Sequence, residues 1–425
     1  MVVRKKVLIQ SLPVPMMGAL QDTITKPVAA KVTAPGSARL MSLDVFRGAT
    51  IASMMLVNNP GSWDSIYRQL DHAEWNGWTF TDLIFPFFLW IVGVAIPLST
   101  QKRLDGGASR TNLWLHVVRR AAIIFGLGLF LAFFSFLING SYGRLGGFGP
   151  WFNEICGTIR IPGVLQRIAV CYLIASTIYL TTKLRGQIAW LIGLLAAYWV
   201  LMKCVPVPGH GAGVLTPEGN FSAYVDGNVL GRHTWHGAPW DPEGVISTIP
   251  AIATCLFGIL TGQLLLIKRS VEQKTTWVFV SGILLILAGA VMNIWLPINK
   301  NLWTSSYSVF MAGMAMNVFA VFYWLVDVKG CQKWAKPFAI YGMNAITVFM
   351  LAGVLGRISI EKKVTDAAGK VVTLKGYLFE TCFNAPLSHL GFGPKICSLS
   401  WALVYVFGLY LVAYIMCRRK WFVKF

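Results

Sequence analysis

The sequence predicts an all-α, polytopic membrane helix bundle of about ten transmembrane helices with both termini cytoplasmic. Three observations predict it. Hydrophobic residues make up 56% of the chain and charged residues 13%, about half the charged share usual in soluble proteins, and mean hydropathy is +0.61. Several uncharged runs reach about twenty residues, enough to cross a hydrocarbon core as helix. The net charge of +20 is also strongly one-sided.

The spans are expected at 44–60, 79–99, 114–138, 163–181, 187–204, 245–266, 276–296, 304–326, 335–356 and 397–416. With a cytoplasmic N-terminus and alternating spans, the inside segments hold 24 Lys and Arg against 5 Asp and Glu. The outside segments hold 13 against 12. That is the positive-inside pattern, clearest at Lys102, Arg103 and Arg110, at Lys268 and Arg269, and at Arg418-Arg419-Lys420. The basicity is therefore a topology signal, and nucleic-acid binding is not expected. The lipid bilayer is the first partner.

Residues 1–40 begin with Arg4-Lys5-Lys6 and a short apolar run, but Gln10, Ser11, Pro13 and Pro15 interrupt it before any cleavage pattern. They are expected to be a disordered cytoplasmic segment or an over-extended start, leaving 41–425 as the transmembrane domain. The eight cysteines form no CxxC pair. Cys171, Cys204 and Cys255 suit apolar packing, while Cys156, Cys382 and Cys397 lie outside, where two of them have a route to pairing. Bundle faces leave a homodimer open, with no small-residue stripe to place its interface.

Ionisable and amide side chains in or beside spans are functional candidates because hydrocarbon makes them costly. Asp44 and Arg47 share a face of the first span and are placed to pair; alternatively Ser42 or Asp44 caps the helix. Asn58 and Asn59 precede Pro60-Gly61, where an amide suits either a polar cap or oxyanion stabilisation. His72 follows in Asp71-His72-Ala73-Glu74-Trp75-Asn76. An imidazole at a membrane edge is the natural proton acceptor near neutral pH, although interfacial histidines are also common. Asp71, Glu74 or Asp82 is placed to orient it. Arg167, beside Gln166, is expected to meet a carboxylate or line a cavity. Asn344 is an amide within the ninth span, and interhelical bonding is its structural alternative. Asn299-Lys300-Asn301-Leu302-Trp303 marks an outer edge, where tryptophan anchors and lysine snorkels. His233 and His236 near Asp241 and Glu243 make a weak zinc pattern with no diagnostic third ligand, so no metal is assigned. Gly146-Gly147-Phe148-Gly149 lacks the strand context of a nucleotide loop.

Together these pieces resemble the heparan-α-glucosaminide N-acetyltransferase family. The likeness rests on Ser42-Leu43-Asp44-Val45-Phe46-Arg47-Gly48, Val57-Asn58, His72-Ala73-x-Trp75-Asn76-Gly77 and Asp82-Leu83-Ile84-Phe85-Pro86-Phe87. It continues in Pro162-Gly163-Val164-Leu165-Gln166-Arg167, Asn299–Trp303, Val326-Asp327-Val328-Lys329-Gly330 and Gly342-Met343-Asn344, in the same order over about 40–356.

The resemblance implies an acyltransferase that takes acetyl from cytosolic acetyl-CoA and delivers it to an extracytoplasmic glucosamine-type amine. The family histidine matches His72 and its partner asparagine Asn58, with Asn59 the alternative because the spacing is longer here. Asp71, Glu74 and Asp82 would support the histidine. Arg47, Arg119, Arg120, Gln166 and Arg167 are candidates for the acetyl-CoA side, and Trp75, Asn76, Asn301, Trp303 and Asn344 for the acceptor, with Trp78 a further aromatic platform. The large extracytoplasmic N-terminal region of lysosomal members has no counterpart in this sequence, which points to a bacterial inner-membrane relative. An amino-sugar permease and an O-acyltransferase of a surface polysaccharide are the competing expectations.

Overall fold

The computed structural model describes residues 40–366 and 368–423. The expectation for 1–40 lies, apart from Leu40, outside the described residues. Every expected span is helical. The first five helices are α1 (Met41–Asn58), α2 (Phe80–Asp105), α3 (Arg110–Ile138), α4 (Val164–Thr181) and α5 (Leu184–Cys204). They are followed by α6 (Thr248–Leu266), α7 (Val271–Met292) and α8 (Ser305–Tyr323), then α9 (Lys336–Met343), α10 (Ala345–Glu361) and α11 (Pro394–Arg418).

Eight of these helices are long and apolar enough to cross a membrane, α8 counting with its wide last turn to Val328. The ninth expected span is instead the pair α9 and α10, bent by 78° at Asn344. Among the described residues the count is thus eight, or nine with that pair, where about ten were expected. The difference is α1. It is a helix of 18 residues, but Asp44, Arg47 and Asn58 dilute its apolar content. The chain is an integral membrane protein.

The bundle is layered. In α2 and α6, 72% of the most apolar stretch is buried, and 56% in α4 and α8; in α3, α5, α7 and α11 the share is only 17% to 28%. The first group forms the interior, and the second turns apolar side chains towards lipid. Close helix contact is bought with glycine. A Cβ on Gly93 of α2 would stand 2.0 Å from the Cys255 carbonyl oxygen, and one on Gly258 of α6 would stand 2.1 Å from that of Trp90. The α1–α9 contact uses Gly48 and Gly342 in the same way.

At the start of α1 the pairing alternative is the one found: Arg47 Nη1 is 3.2 Å from Asp44 Oδ1. The cap position is Leu40, without a side-chain bond, and the Ser42 amide donates instead to Asp327 Oδ2 at 3.2 Å.

The connections differ by end. Segments 106–109, 182–183, 267–270 and 329–335 are short and lie at one end. The long segments 59–79, 139–163, 205–247, 293–304 and 362–393 gather at the other, which we term the loop end. They are tied together by Trp75 to Leu215, Gly77 to Ile298, Ile161 to His233 and Gly61 to Ser398. Two small antiparallel hairpins lie there, β1 (Pro206–Val207) with β2 (Gly211–Ala212), and β3 (Lys363–Thr365) with β4 (Val371–Thr373). All eight cysteines are free thiols, so Cys156, Cys382 and Cys397 do not pair.

Candidate active site

Asp82 organises the site because it is the third residue after the cap of α2, Thr79. Thr79 caps the helix, and the Asp82 carboxylate reaches back to the cap in a capping box. Its Oδ2 accepts from the amides of Thr79 and Ala73, each at 3.0 Å, and from the Thr79 hydroxyl at 3.2 Å. Its Oδ1 stays free of the backbone and lies 2.6 Å from His72 Nδ1. Asp82 is 1% exposed, whereas the His72 side chain is 43% exposed. An ionised carboxylate only accepts. This pairing therefore puts hydrogen on Nδ1 and leaves the lone pair on Nε2.

Of the three carboxylates expected beside His72, Asp82 alone meets its ring. Asp71 accepts from the His72 backbone amide at 2.8 Å, and Glu74 is exposed to solvent. From behind, the Tyr307 hydroxyl donates to the Asp82 carbonyl at 2.6 Å and fixes the first turn of α2 to α8.

A second loop closes on the first. Asn299 is buried and builds a turn: its side-chain oxygen accepts from the Leu302 amide at 2.9 Å, and its carbonyl accepts from Thr304 at 3.1 Å. Trp303 adopts φ 49° in this turn, a conformation that bulky residues rarely hold without surrounding support. The turn is fastened to the histidine loop by Asn299 Nδ2 donating to Asn76 Oδ1 at 3.2 Å and by the Gly77 amide donating to the Ile298 carbonyl at 2.8 Å. Lys300 is thereby delivered to the imidazole. Its Nζ is 3.0 Å from both His72 ring nitrogens and 3.9 Å from Asp82 Oδ1. The sequence marked Lys300 only as a snorkelling residue; nothing local in it signals a contact 228 positions away.

The other candidates separate. Asn58 is exposed and lines a cleft of about 480 Å³ between α1, α3, α4 and α10, shared with Asn59, Arg160, Gln166, Arg357 and Glu361. His72 is not in that lining, and no hydrogen bond joins it to Asn58 among the described residues. Asn59 is turned back, donating to the Met55 carbonyl at 2.8 Å. Trp75 donates to the Leu215 carbonyl at 2.8 Å and stands edge-on to Trp240. Trp303 is only 1% exposed and donates to Thr254; it packs the core and offers no open platform. Asn301 is half-buried. Asn344 sits at the bend with both side-chain polar atoms buried and unpartnered, so the interhelical bond expected of it is not made.

Gln166 and Arg167 open α4 at the loop end, whereas Arg47, Arg119 and Arg120 belong to the half nearer the short connections, so these five do not converge on one site. Arg120 lies over the Tyr172 ring at 5.2 Å. Arg167 meets neither a carboxylate nor the cleft. It donates to Ser247 and to the Gly244 carbonyl at 3.2 Å, and stacks on Trp303 at 5.1 Å.

Arg160, Arg357 and Glu361 were missed as site residues. Arg160 binds Asp241 through Nε and Nη2 (2.9 and 2.7 Å) and Glu243 through Nη2 (2.6 Å), partners more than eighty positions away. Burial opposes its charge, but Asp241 and Glu243 outweigh that and hold its pKa above the ordinary value. Asp241 and Glu243 thus serve Arg160, while His233 Nδ1 meets the Ile159 carbonyl at 2.7 Å. No group of three or more metal-ligating side chains occurs among the described residues.

Asp226 braces the same loop, accepting from the Val245 and Asp241 amides at 2.9 and 3.3 Å. Burial raises its pKa to about 6; nearby Asp241 adds to the rise, and the two amides and Arg167 oppose it. The folded state therefore binds this proton more tightly than the unfolded chain. Stability from this source is complete below the unfolded value near 4 and is lost as pH rises through 6. Between pH 7 and pH 4 the wild type should gain about 2.4 kcal/mol from this group that Asp226→Asn does not. Detergent melting curves of the two proteins across that range check the prediction.

Fold and site define an integral membrane protein with a carboxylate-anchored histidine exposed at one end of a helix bundle. Residues 39–142 match a family model described as Domain of unknown function (DUF5009). Heparan-alpha-glucosaminide N-acetyltransferase of Homo sapiens is 30% identical over 363 residues, which cover 73% of this chain and 52% of the human protein. Its Mus musculus counterpart is also 30% identical, with 53% of its length covered. Over that matched span the chain is similar to the heparan-alpha-glucosaminide N-acetyltransferases. It spans about half the length of these relatives.

Proposed function

We propose that the chain is a transmembrane N-acetyltransferase, moving acetyl from cytosolic acetyl-CoA to the amine of a glucosamine-type sugar presented at the loop end. One observation carries this reading: an exposed imidazole is held by a buried carboxylate 2.6 Å away, in a chain 30% identical to proteins of that name. The charge bias of the sequence supports an extracytoplasmic loop end.

Acetyl-CoA is a polyanion that cannot cross the bilayer. Its phosphates would meet basic residues near the short-connection end, Arg47, Arg119 and Arg120 among them, with the thioester directed towards the loop end. His72, with hydrogen on Nδ1, takes a proton at Nε2 from the sugar ammonium, and the freed amine attacks the thioester carbonyl. Asn58 supplies an amide hydrogen to the carbonyl oxygen as it becomes negative. Asn58 borders a cleft of a size ordinary for small-ligand sites. Asn58 and His72 must converge on one acetyl group, so the catalytic arrangement would require the 59–79 connection to close over bound substrate.

The test uses purified protein in detergent, radiolabelled acetyl-CoA and glucosamine, with His72→Ala as control. Wild type should form N-acetylglucosamine, and His72→Ala should form none while keeping its melting temperature. Sugar flux in proteoliposomes without acetylation, unaffected by His72→Ala, would make the chain a permease. A product cleaved by mild base would make it an O-acyltransferase.

A further inference from the structure

Lys300 is the cationic group in contact with the candidate base, on which Asp82 is the anionic one. Its side chain is 18% exposed, and Nζ is 3.0 Å from each His72 ring nitrogen. The Asp82 oxygen 3.9 Å away is already engaged by His72, and the other Asp82 oxygen is held by Thr79 and Ala73. The turn that presents Lys300 is built from buried Asn299 and a left-handed Trp303, and is bonded to the histidine loop. An exposed, freely rotating lysine would need none of this.

We propose that Lys300 is the acid–base partner of His72, the two side chains together receiving the proton that leaves the acceptor ammonium and returning one to the departing CoA thiolate. The inference rests on the acetyltransferase reading above. An N–H bond of the ammonium breaks, and the proton passes to the His72–Lys300 pair. The amine lone pair forms the C–N bond, and the C–S bond breaks with its electrons on sulfur. The nitrogen then loses a second proton. One of the two protons goes to the thiolate and the other to solvent, so acetyl-CoA and the ammonium become the amide, CoA thiol and one proton.

A lysine serves this purpose only if its neutral form is within reach. Burial lowers its proton affinity, Asp82 and Glu243 oppose that, and Arg167 adds to it. Asp82 of α2 pairs with both side chains, the Tyr307 hydroxyl of α8 lies behind it on the Asp82 carbonyl, Asp71 accepts from the His72 backbone amide, and Glu243 and Arg167 act on Lys300 at longer range.

Two measurements on the full-length protein in detergent test the proposal. Competitive labelling with acetic anhydride, read by mass spectrometry against pH, should show Lys300 reacting with a lower midpoint than exposed Lys102, and the midpoint should move in His72→Ala. Lys300→Met and Lys300→Arg should each lower kcat by about 10²-fold or more, keep acetyl-CoA affinity and melting temperature, and lose one limb of the pH–rate profile. Arginine keeps the charge but cannot give up its proton. Wild-type turnover in Lys300→Arg would therefore overturn the proposal, leaving Lys300 a fixed charge. Labelling of Lys300 like Lys102 would overturn it equally. If the wild type binds acetyl-CoA but acetylates no amine, the acetyltransferase reading fails, and labelling alone decides whether the pair shares a proton.

Discussion

Asp82→Asn should lower kcat by about 10²–10⁴-fold while leaving acetyl-CoA affinity and melting temperature close to wild type. The size of the effect follows from which oxygen does what. In the wild type Oδ2 accepts from two backbone amides and the Thr79 hydroxyl, and Oδ1 accepts from His72. An asparagine has one oxygen and one NH2 group. The backbone donors claim the oxygen, so the NH2 group is turned towards His72 Nδ1. A donor there selects the tautomer with hydrogen on Nε2, which removes the lone pair needed at the substrate side. The helix cap survives, so the fold should too. Asp82→Ala loses the cap as well, adding about 0.5–2 kcal/mol of destabilisation. A wild-type rate in Asp82→Asn would show that orientation of His72 by Asp82 plays no part in turnover.

The bundle was legible in the sequence because bilayer thickness imposes a length of about twenty apolar residues, and a run of that kind needs no tertiary information to detect. The bend at Asn344 was not, since a single amide within the mostly apolar run 335–356 is equally compatible with a straight span, and only packing of α9 and α10 separates them. At the site, His72 and Asp82 stood out because they are ten positions apart, flanking one helix start. Choosing Asp82 over Asp71 and Glu74 needed the capping geometry, which directs one carboxylate inward and leaves the others in solvent. Lys300 and Arg160 reach partners 228 and 81 positions away. Those contacts exist only once the loops meet, and no local spacing announces them. Trp303 shows the opposite error. An interfacial tryptophan is ordinarily an anchor, yet here Arg167, Thr254 and Phe85 enclose it.

Arg160→Ala is expected to produce the largest loss of stability, about 3–5 kcal/mol, because it strands buried charge without its counterion. The Asp241 side chain is 0% exposed and that of Glu243 is 8%. Asp241 would keep the amides of Trp235 and Glu243, at 2.7 and 2.8 Å, which moderates the loss; Glu243 has no such reserve. Arg160→Ala combined with Asp241→Asn and Glu243→Gln should recover part of the stability, since the uncompensated charges are then gone. The effect should also reach the site. The segment that Arg160 pins contains Leu215, whose carbonyl holds Trp75 beside the histidine loop. Arg160→Ala should therefore lower both the melting temperature and kcat, and speed proteolysis within 205–247. The triple variant should regain stability before activity, because neutral partners restore burial without restoring the bidentate grip that fixes the loop's position. An Arg160→Ala protein with an unchanged melting temperature would mean that the ion pair is not what secures this loop.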